Sequence, residues 1–230
     1  MSRTPMTLAA VMLAAGITVA ACGTVKVGAA AITTSQRIST TTLSAQVANL
    51  NTAYQAHKSQ IQLQFPASEM PQQVLSWLVR FQIGDELAAQ HGITVTRTEA
   101  QAALAAISAS LQQNGSHQTL PEAAVANGLP PDMLDQLGRY QAIETKLLDR
   151  LDGGQQPTST AGQQALQTEF NKTQCQAAKS LNIQINPQFG AFDYSSVSVV
   201  RTPSGLSQAP ASAPAPAASP TPKPVLTPPC

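Results

Sequence analysis

The sequence predicts a mostly α-helical protein of about six helices, with short strands near the two ends of the folded part. Three observations lead to this fold class. Apolar residues recur at steps of three and four through the middle of the chain, which is the period of an amphipathic helix. Helix-capping sequences and glycines separate these stretches. A segment of alternating polar and apolar residues, typical of a strand, follows the last of them.

The chain begins with a segment typical of export. An apolar stretch from about Leu8 to Ala21 follows the single charged side chain of Arg3, and it is shorter than the roughly 20 residues of a membrane-spanning helix. The stretch ends in Val19-Ala20-Ala21-Cys22-Gly23, which resembles the lipobox of bacterial lipoproteins. We therefore expect a lipoprotein signal peptide over residues 1–21. The alternative is an ordinary secretory peptide that is cut near Ala21.

Acylation of Cys22 is the consequence of the lipobox interpretation. Fatty acids such as palmitate would anchor the chain to the cell membrane on its extracytoplasmic side, because each buried CH₂ group contributes about 0.8 kcal/mol. Residues 22–27 then serve as a linker, and residues 28–200 form the folded domain. The run Gly28 to Thr33 predicts a short strand, and the chain is briefly extended again at Arg37-Ile38-Ser39.

The first three helices follow from apolar spacing and caps. Ser39 or Thr40 caps the first helix, which carries one apolar stripe of Leu43, Val47, Leu50 and Tyr54. The second helix is the most apolar and is the predicted centre of the core, with Val74, Leu75, Trp77, Leu78, Phe81 and Leu87; it ends at His91-Gly92. A capping box, Thr96-Arg97-Thr98-Glu99, opens a third helix whose predicted buried face is Leu104, Ile107 and Leu111.

Three more helices follow. The sequence Thr119-Leu120-Pro121-Glu122 is a second capping box and opens a short helix that ends at Asn127-Gly128. A fifth helix starts after Pro130-Pro131, ends at Gly153-Gly154, and keeps helical spacing over Leu134, Leu137, Ile143, Leu147, Leu148 and Leu151. After a short polar linker, the last helix carries Leu166, Phe170, Ala177 and Leu181.

The C-terminal part of the chain is extended. Residues Asn182 to Asn186 alternate as a half-buried strand does, and Ser196 to Val200 form a final extended piece. Nine of the seventeen prolines fall in residues 201–230, which are rich in Pro, Ala and Ser. We expect this tail to be disordered or of polyproline type, as a spacer or a segment that threads the cell wall, because it has little apolar area to bury.

Composition excludes some classes of partner. The net charge is +1 and only 11% of residues are charged, so no basic surface for nucleic acid is expected. Apart from Cys22, the chain has Cys175 and Cys230. They form a disulfide bond, or Cys175 is a small apolar residue of the last helix and Cys230 is free.

No pattern of catalytic or metal-binding residues is present. His57, His91 and His117 do not have the spacing of metal ligands, and the HExxH, CxxC, GxSxG and P-loop motifs are absent. Seven acidic residues are interpreted as solvated helix faces or end charges, namely Asp85, Glu86, Asp132, Asp135, Glu144, Asp149 and Asp152. The sequence therefore predicts a protein that is not an enzyme, with no catalytic residue, metal or cofactor.

One C-terminal motif carries a family resemblance. In the run Ile183 to Asp193, five residues match the pattern V-N-P-R-Y-G-x-[WF]-D, namely Asn186, Pro187, Gly190, Phe192 and Asp193, while Gln188 and Phe189 replace Arg and Tyr. With the lipobox and the helices, residues 28–195 resemble the SurA N-terminal domain of SurA-like and PrsA-like extracytoplasmic chaperones, in particular actinobacterial lipoproteins.

The resemblance implies that the N-terminal and C-terminal strands pair and close a helical cradle for unfolded clients. Full-length foldases of this kind insert a parvulin prolyl isomerase before the last helix. Here only residues 152–161 occupy that place, so the resemblance implies that the isomerase is absent.

We therefore expect a membrane-anchored, non-catalytic chaperone or holdase that binds exported, unfolded polypeptides through exposed apolar surface. Trp77 and Phe81 are the candidate peptide-binding residues, since aromatic side chains at helical spacing line a groove or, alternatively, fill a core. The alternative function is that of a structural lipoprotein, a scaffold for one specific partner in the cell envelope.

Overall fold

The structure is a computed structural model, and it describes residues 27–155 and 157–202. These residues form six α-helices: α1 Thr40–Ala56, α2 Met70–Gln90, α3 Arg97–Gln113, α4 Leu120–Ala126, α5 Leu134–Leu151 and α6 Thr160–Ser180. Short 3-10 helices, Ala67–Glu69 and Pro131–Met133, lead into α2 and α5. The predicted signal peptide, the predicted lipidation site Cys22 and the tail beyond Thr202 lie outside the described residues.

Two small sheets lie at the ends of the helical part. Strand β1, Ala29–Ile32, pairs antiparallel with β2, Arg37–Ser39, and with β3, Gln184–Ile185. The predicted pairing of N-terminal and C-terminal strands is thus confirmed. A second sheet is a hairpin of β4, Ala191–Asp193, and β5, Ser198–Val200. The sequence indicated only an extended piece near β5, because it gave no sign of its partner.

Helix starts agree with the predicted caps. The Ser39 hydroxyl accepts a hydrogen bond from Thr42 N, and both predicted capping boxes, at Thr96 and Thr119, are formed. Glu99 closes the first box and also pairs with Lys146 Nζ on α5 at 2.6 Å. The Lys146 ammonium and the Thr96 donors lower the pKa of Glu99 to about 2. This carboxylate therefore links the start of α3 to α5.

The core is centred on α2, as predicted. Val74, Leu75, Val79, Ile83 and Leu87 of this helix are fully buried and pack with residues of α1, α5 and α6. None of the helices in the described part is long and apolar enough to cross a bilayer. Since the mostly apolar core lies inside a helical assembly, the fold is the mostly α class that the periodicity predicts.

Helix α3 differs from its prediction. Leu104, Ile107 and Leu111 were expected to be buried, but no residue of α3 is fully buried and these three are half-buried. The physical reason is that α3 lies on the outside and packs mainly against α5. Gly138 allows the close approach, since a Cβ at this position would lie 2.5 Å from the Ala100 carbonyl oxygen.

Cys175 is buried in α6 and is disulfide-bonded. The interpretation of this residue as a small apolar side chain with a free thiol is therefore wrong. No second cysteine occurs in residues 27–155 and 157–202, so its partner lies outside them. The bond to Cys230 stays a prediction.

Candidate functional site

A cleft of about 400 Å³ opens between α2, α5, α6 and the turn of the β4–β5 hairpin. We name it the aromatic cleft, because Trp77, Tyr140 and Phe170 line it from three different helices. Its other lining residues are mostly polar: Arg80, Leu137, Gln141, Glu144, Gln167, Asn171, Gln174, Ser195, Ser196 and Val197. Apolar faces and hydrogen-bonding groups therefore alternate around one opening.

Helical periodicity explains why these residues meet. The lining residues of α5 are Leu137, Tyr140, Gln141 and Glu144, and those of α6 are Gln167, Phe170, Asn171 and Gln174. Both sets have the spacing i, i+3, i+4, i+7, which places four side chains on one face of a helix. The two helices thus present matching faces to the cleft, each with an aromatic residue at its second position.

The hairpin forms the remaining wall and is fixed to α2 by two hydrogen bonds. Val199 N donates to the buried Ser76 hydroxyl at 2.9 Å, and Arg80 Nε donates to the Val197 carbonyl at 3.0 Å. Val197 has a φ of 48°, in the left-handed region, where a β-branched residue is strained. These anchors hold the turn residues Ser195 and Ser196 at the rim.

Trp77 and Arg80 form a stacked pair on α2. The guanidinium carbon of Arg80 lies 5.2 Å from the centre of the Trp77 ring, a cation–π contact, and Trp77 Nε1 donates to the Asn127 carbonyl at 3.0 Å. Within the described residues, Arg80 has no carboxylate within 4.0 Å. The cleft thus contains a positive charge that is oriented by an aromatic ring and a carbonyl group.

Three polar side chains are joined at the base of the cleft. Gln174 Nε2 donates to Glu144 Oε1 at 2.8 Å and to the Tyr140 hydroxyl at 3.0 Å, and Gln174 and Tyr140 are both buried. Burial raises the pKa of Glu144, although the Tyr140 hydrogen bond and the nearby Arg80 charge oppose the shift. Burial also raises the pKa of Tyr140. The interpretation of Glu144 as part of a solvated face is therefore wrong.

The two predicted peptide-binding residues have different positions. Trp77 is half-buried and lines the cleft, whereas Phe81 is only 8% exposed and does not line it. The Phe81 ring lies between those of Trp77 and Tyr140, with centroid distances of 5.9 and 6.0 Å. Phe81 therefore supports the two aromatic rings of the cleft from behind, and peptide binding by either residue stays a prediction.

A second depression, of about 480 Å³, lies along α1. We name it the α1 groove; it is lined by Leu43, Ser44, Val47, Ala48, Asn51, Ala67, Ser68, Met70, Pro71 and Phe189. None of these side chains is charged, and most are small or apolar. The α1 groove therefore offers chiefly apolar contact.

The C-terminal motif is structural. Asn186 N and Nδ2 donate to the carbonyls of Ala30 and Ala29, which joins the motif to β1. Asp193 accepts hydrogen bonds from Ser195 and Ser196 in the hairpin turn, and these bonds lower its pKa. Phe189, one of the two departures from the motif, lines the α1 groove. The motif thus joins the C-terminal strands to β1 and contributes Phe189 to the α1 groove.

The described residues contain no group of three or more His, Cys, Asp or Glu side chains that could hold a metal ion. His57 and His117 are exposed, and His91 is the C-cap of α2. Sequence reasoning missed Arg80, Glu144, Gln174 and the hairpin turn as parts of a site. The signal that was present is the polar stripe on α6, Gln167, Asn171 and Gln174, which flanks the apolar Phe170.

Comparison with protein families gives one finding. A family model described as the SurA-like N-terminal domain matches residues 4–148, which is more than half of the 230-residue chain. The matched part includes β1, β2 and the helices from α1 to most of α5, and it ends before α6 and the C-terminal strands. No curated protein and no solved structure matches the chain.

Proposed function

The chain belongs to the SurA-like N-terminal domain family, a chaperone-like family, and from this premise we propose that it binds exported, unfolded polypeptides in the aromatic cleft as a non-catalytic chaperone. The observation that carries the proposal is the composition of the cleft. An extended peptide presents apolar side chains and unpaired amide groups together. The cleft offers the half-buried Trp77 ring, beside the buried rings of Tyr140 and Phe170, for the former, and the Arg80 guanidinium and amide side chains for the latter.

The size of the cleft limits what it binds. Its volume of about 400 Å³ lies at the lower end of the range of ligand sites, roughly 300–1,000 Å³. A short stretch of extended chain fits such a volume, and a folded domain does not. Binding of one short segment at a time gives low affinity, since little area is buried and the peptide must be ordered.

Scarcity of exposed apolar surface favours a second candidate function. Among the described residues, Val27 and Val200 are the exposed large hydrophobic side chains. A general holdase that works through exposed apolar surface would need more of it. The second candidate is therefore a structural lipoprotein that uses the aromatic cleft to bind one specific partner of the cell envelope.

Light scattering of aggregating client proteins distinguishes the chaperone function from the scaffold function. We expect the soluble mature chain to suppress aggregation of two unrelated unfolding proteins, and Arg80→Gln to weaken the suppression. Arg139→Gln is the matched control, because Arg139 pairs with Asp85 on the surface and does not line the cleft. Equal suppression by the unmodified chain, Arg80→Gln and Arg139→Gln would exclude the cleft as the client-binding site. No suppression of either client would favour the scaffold for one specific partner.

A proline-isomerisation assay on the same preparation tests the non-catalytic part of the proposal. The segment between α5 and α6, from Asp152 to Ser159, is too short to hold a parvulin domain of about 90 residues. We expect aggregation to be suppressed with no acceleration of prolyl isomerisation. Measurable isomerisation would show a catalytic function and would overturn this part.

Membrane anchoring through Cys22 completes the proposal. The lipobox-like sequence Val19 to Gly23 supports it, and Cys22 lies only a few residues before the first described residue, Val27. Acyl chains on Cys22 would hold the cleft close to the extracytoplasmic surface of the membrane. We expect Cys22→Ser to abolish palmitate labelling and membrane retention in cells. Retained labelling at another residue would contradict the lipobox interpretation.

A further inference from the structure

The α1 groove lies where the described chain ends. Arg201, the next to last described residue, has its Nη2 atom 3.4 Å from Glu69 Oε1. Glu69 stands between Ser68 and Met70, which both line the groove. A surface ion pair of this kind adds little stability, but its position shows that the chain leaves the fold at the edge of the α1 groove.

The register of the hairpin gives the same exit point independently. Val200 pairs with Ala191 across the β4–β5 hairpin, and Gly190 packs against the Val200 carbonyl so closely that a Cβ there would overlap it. Phe189, the neighbour of Gly190, lines the groove. Val200 and Arg201 therefore place the end of the described chain beside Phe189 and Glu69, at the edge of the α1 groove.

From this placement we propose that residues 203–210 of this chain dock in the α1 groove, with Leu206 as the apolar anchor. The segment reads Pro203-Ser204-Gly205-Leu206-Ser207-Gln208-Ala209-Pro210 and has no charged side chain, and the groove has none either. Leu206 supplies an apolar side chain that such a groove can bury, and Pro203 and Pro210 restrict the backbone dihedral φ at the two ends of the segment. The groove supplies Phe189 and Pro71 for such contacts, and Ser44, Asn51 and Ser68 for hydrogen bonds to the backbone.

The tether makes even weak docking sufficient. Leu206 follows Arg201 by five residues, so an extended chain brings it anywhere within about 17 Å of the exit point. A short linker holds a segment at an effective concentration of the order of millimolar. A free peptide or a second copy of the chain must compete with that concentration. The attached segment is therefore the occupant that the geometry favours, and the docking does not depend on what the aromatic cleft binds.

Photo-crosslinking in the full mature chain tests the proposal. A benzoylphenylalanine at Ala48, an exposed residue that lines the groove, is the probe, and the same probe at Thr52, an exposed α1 residue that does not line it, is the control. We expect irradiation of the Ala48 form to give a monomer-mass product in which mass spectrometry finds residue 48 joined to a peptide from 203–210. The Thr52 form should give none.

Two tail variants complete the experiment. Leu206→Asp should reduce the Ala48 product to the level of the Thr52 control, and Leu226→Asp, in the distal tail, should leave it unchanged. Neither substitution changes a residue of the described core, so circular dichroism of the two variants should match the unmodified chain. A crosslink of dimer mass would assign the groove to a second copy, and a product that survives Leu206→Asp or joins another segment would also overturn the proposal.

Discussion

The aromatic cleft and the α1 groove have similar volumes but opposite chemistry. In the cleft, polar side chains already bind one another, as Gln174 does with Glu144 and Tyr140, and Arg80 is held by Trp77 and Val197. In the groove the lining is uncharged and mostly apolar or small. The first site is built by four elements of the fold, whereas the second is formed along α1, the start of α2 and Phe189.

This difference in lining determines which ligands each site can bind selectively. A ligand of the cleft must satisfy oriented donors and acceptors, because a buried polar group that loses its partner costs about 1–3 kcal/mol. A ligand of the groove needs only apolar area of suitable width, which is not directional. Selection among polypeptides is therefore expected in the cleft, and tethered docking of the chain's own segment is proposed in the groove.

The strongest test of the comparison changes the hairpin, whose turn lines the cleft and whose first strand closely follows Phe189 of the groove. Gly190 has a φ of 122° and lies against the Val200 carbonyl, so Gly190→Ala should separate β4 from β5. Strain and overlap together should lower the free energy of unfolding by roughly 2–5 kcal/mol, measured by urea denaturation. Gly115→Ala is the control, since its φ is 75° but no atom lies within 4 Å of an added Cβ. Equal losses in both variants would mean that the close contact between Gly190 and the Val200 carbonyl does not stabilise the hairpin.

A smaller effect is expected when only the cleft wall is loosened. Ser76→Ala removes the acceptor of the buried Val199 N–H group and should cost about 1–3 kcal/mol in urea denaturation. Thr145→Ala is the matched control, because Thr145 Oγ1 bonds only to the Gln141 carbonyl within α5. Its cost should be below about 0.5 kcal/mol, as for other exposed surface changes. A Ser76→Ala variant as stable as this control would mean that the hairpin does not depend on Ser76.

The smallest effect concerns Glu144 and pH. Because burial raises the pKa of Glu144 in the folded state, its contribution to stability is fully present below the ordinary value of 4.5 and is lost as pH rises through the raised value. Glu144→Gln should therefore be slightly more stable than the unmodified chain at pH 7 and should show no such gain near pH 4. The gain requires that the introduced amide oxygen accepts the hydrogen bond that Gln174 Nε2 now donates to Glu144 Oε1.

Urea midpoints of both forms from pH 4 to pH 8 measure the difference. Glu99, Glu122 and Asp193, whose pKa values are lowered, lose their contribution on acidification in both forms alike, so they cancel in the comparison. Glu169→Gln on the exposed face of α6 is the control for charge removal. If Glu144→Gln lowers the urea midpoint at pH 7 by more than Glu169→Gln does, burial of the Glu144 carboxylate does not destabilise the fold and the prediction is wrong.

Local features were predictable from the sequence. The caps at Thr96 and Thr119 were correctly assigned, and Ser39 is one of the two residues proposed as the cap of the first helix. These signals are local, since a capping hydrogen bond joins residues only two or three apart. The apolar stripe of α2 also identified the core centre. Both kinds of signal depend on neighbours along the chain. The same spacing on α3 overestimated the burial of its apolar residues, because α3 packs mainly against α5.

The cleft was not predictable for the opposite reason. A glutamate such as Glu144 on an amphipathic helix has the same sequence signature whether it faces water or a Gln174 amide on another helix. The β4–β5 hairpin is local, since the turn of residues 194–197 joins its strands, but the extended piece near Val200 gave no sign of its partner. Sequence reasoning therefore found Trp77 but not the residues that form a site with it.

The most direct test of the account is a fluorescence titration of Trp77, the single tryptophan of the chain, with an unfolded client that contains no tryptophan. The account predicts a saturable change in emission on binding, weakened by Arg80→Gln and retained by Arg139→Gln. Binding would be measured in parallel by the anisotropy of a dye on the client. An unchanged Trp77 spectrum while the anisotropy shows saturable binding would contradict the assignment of the aromatic cleft as the polypeptide site.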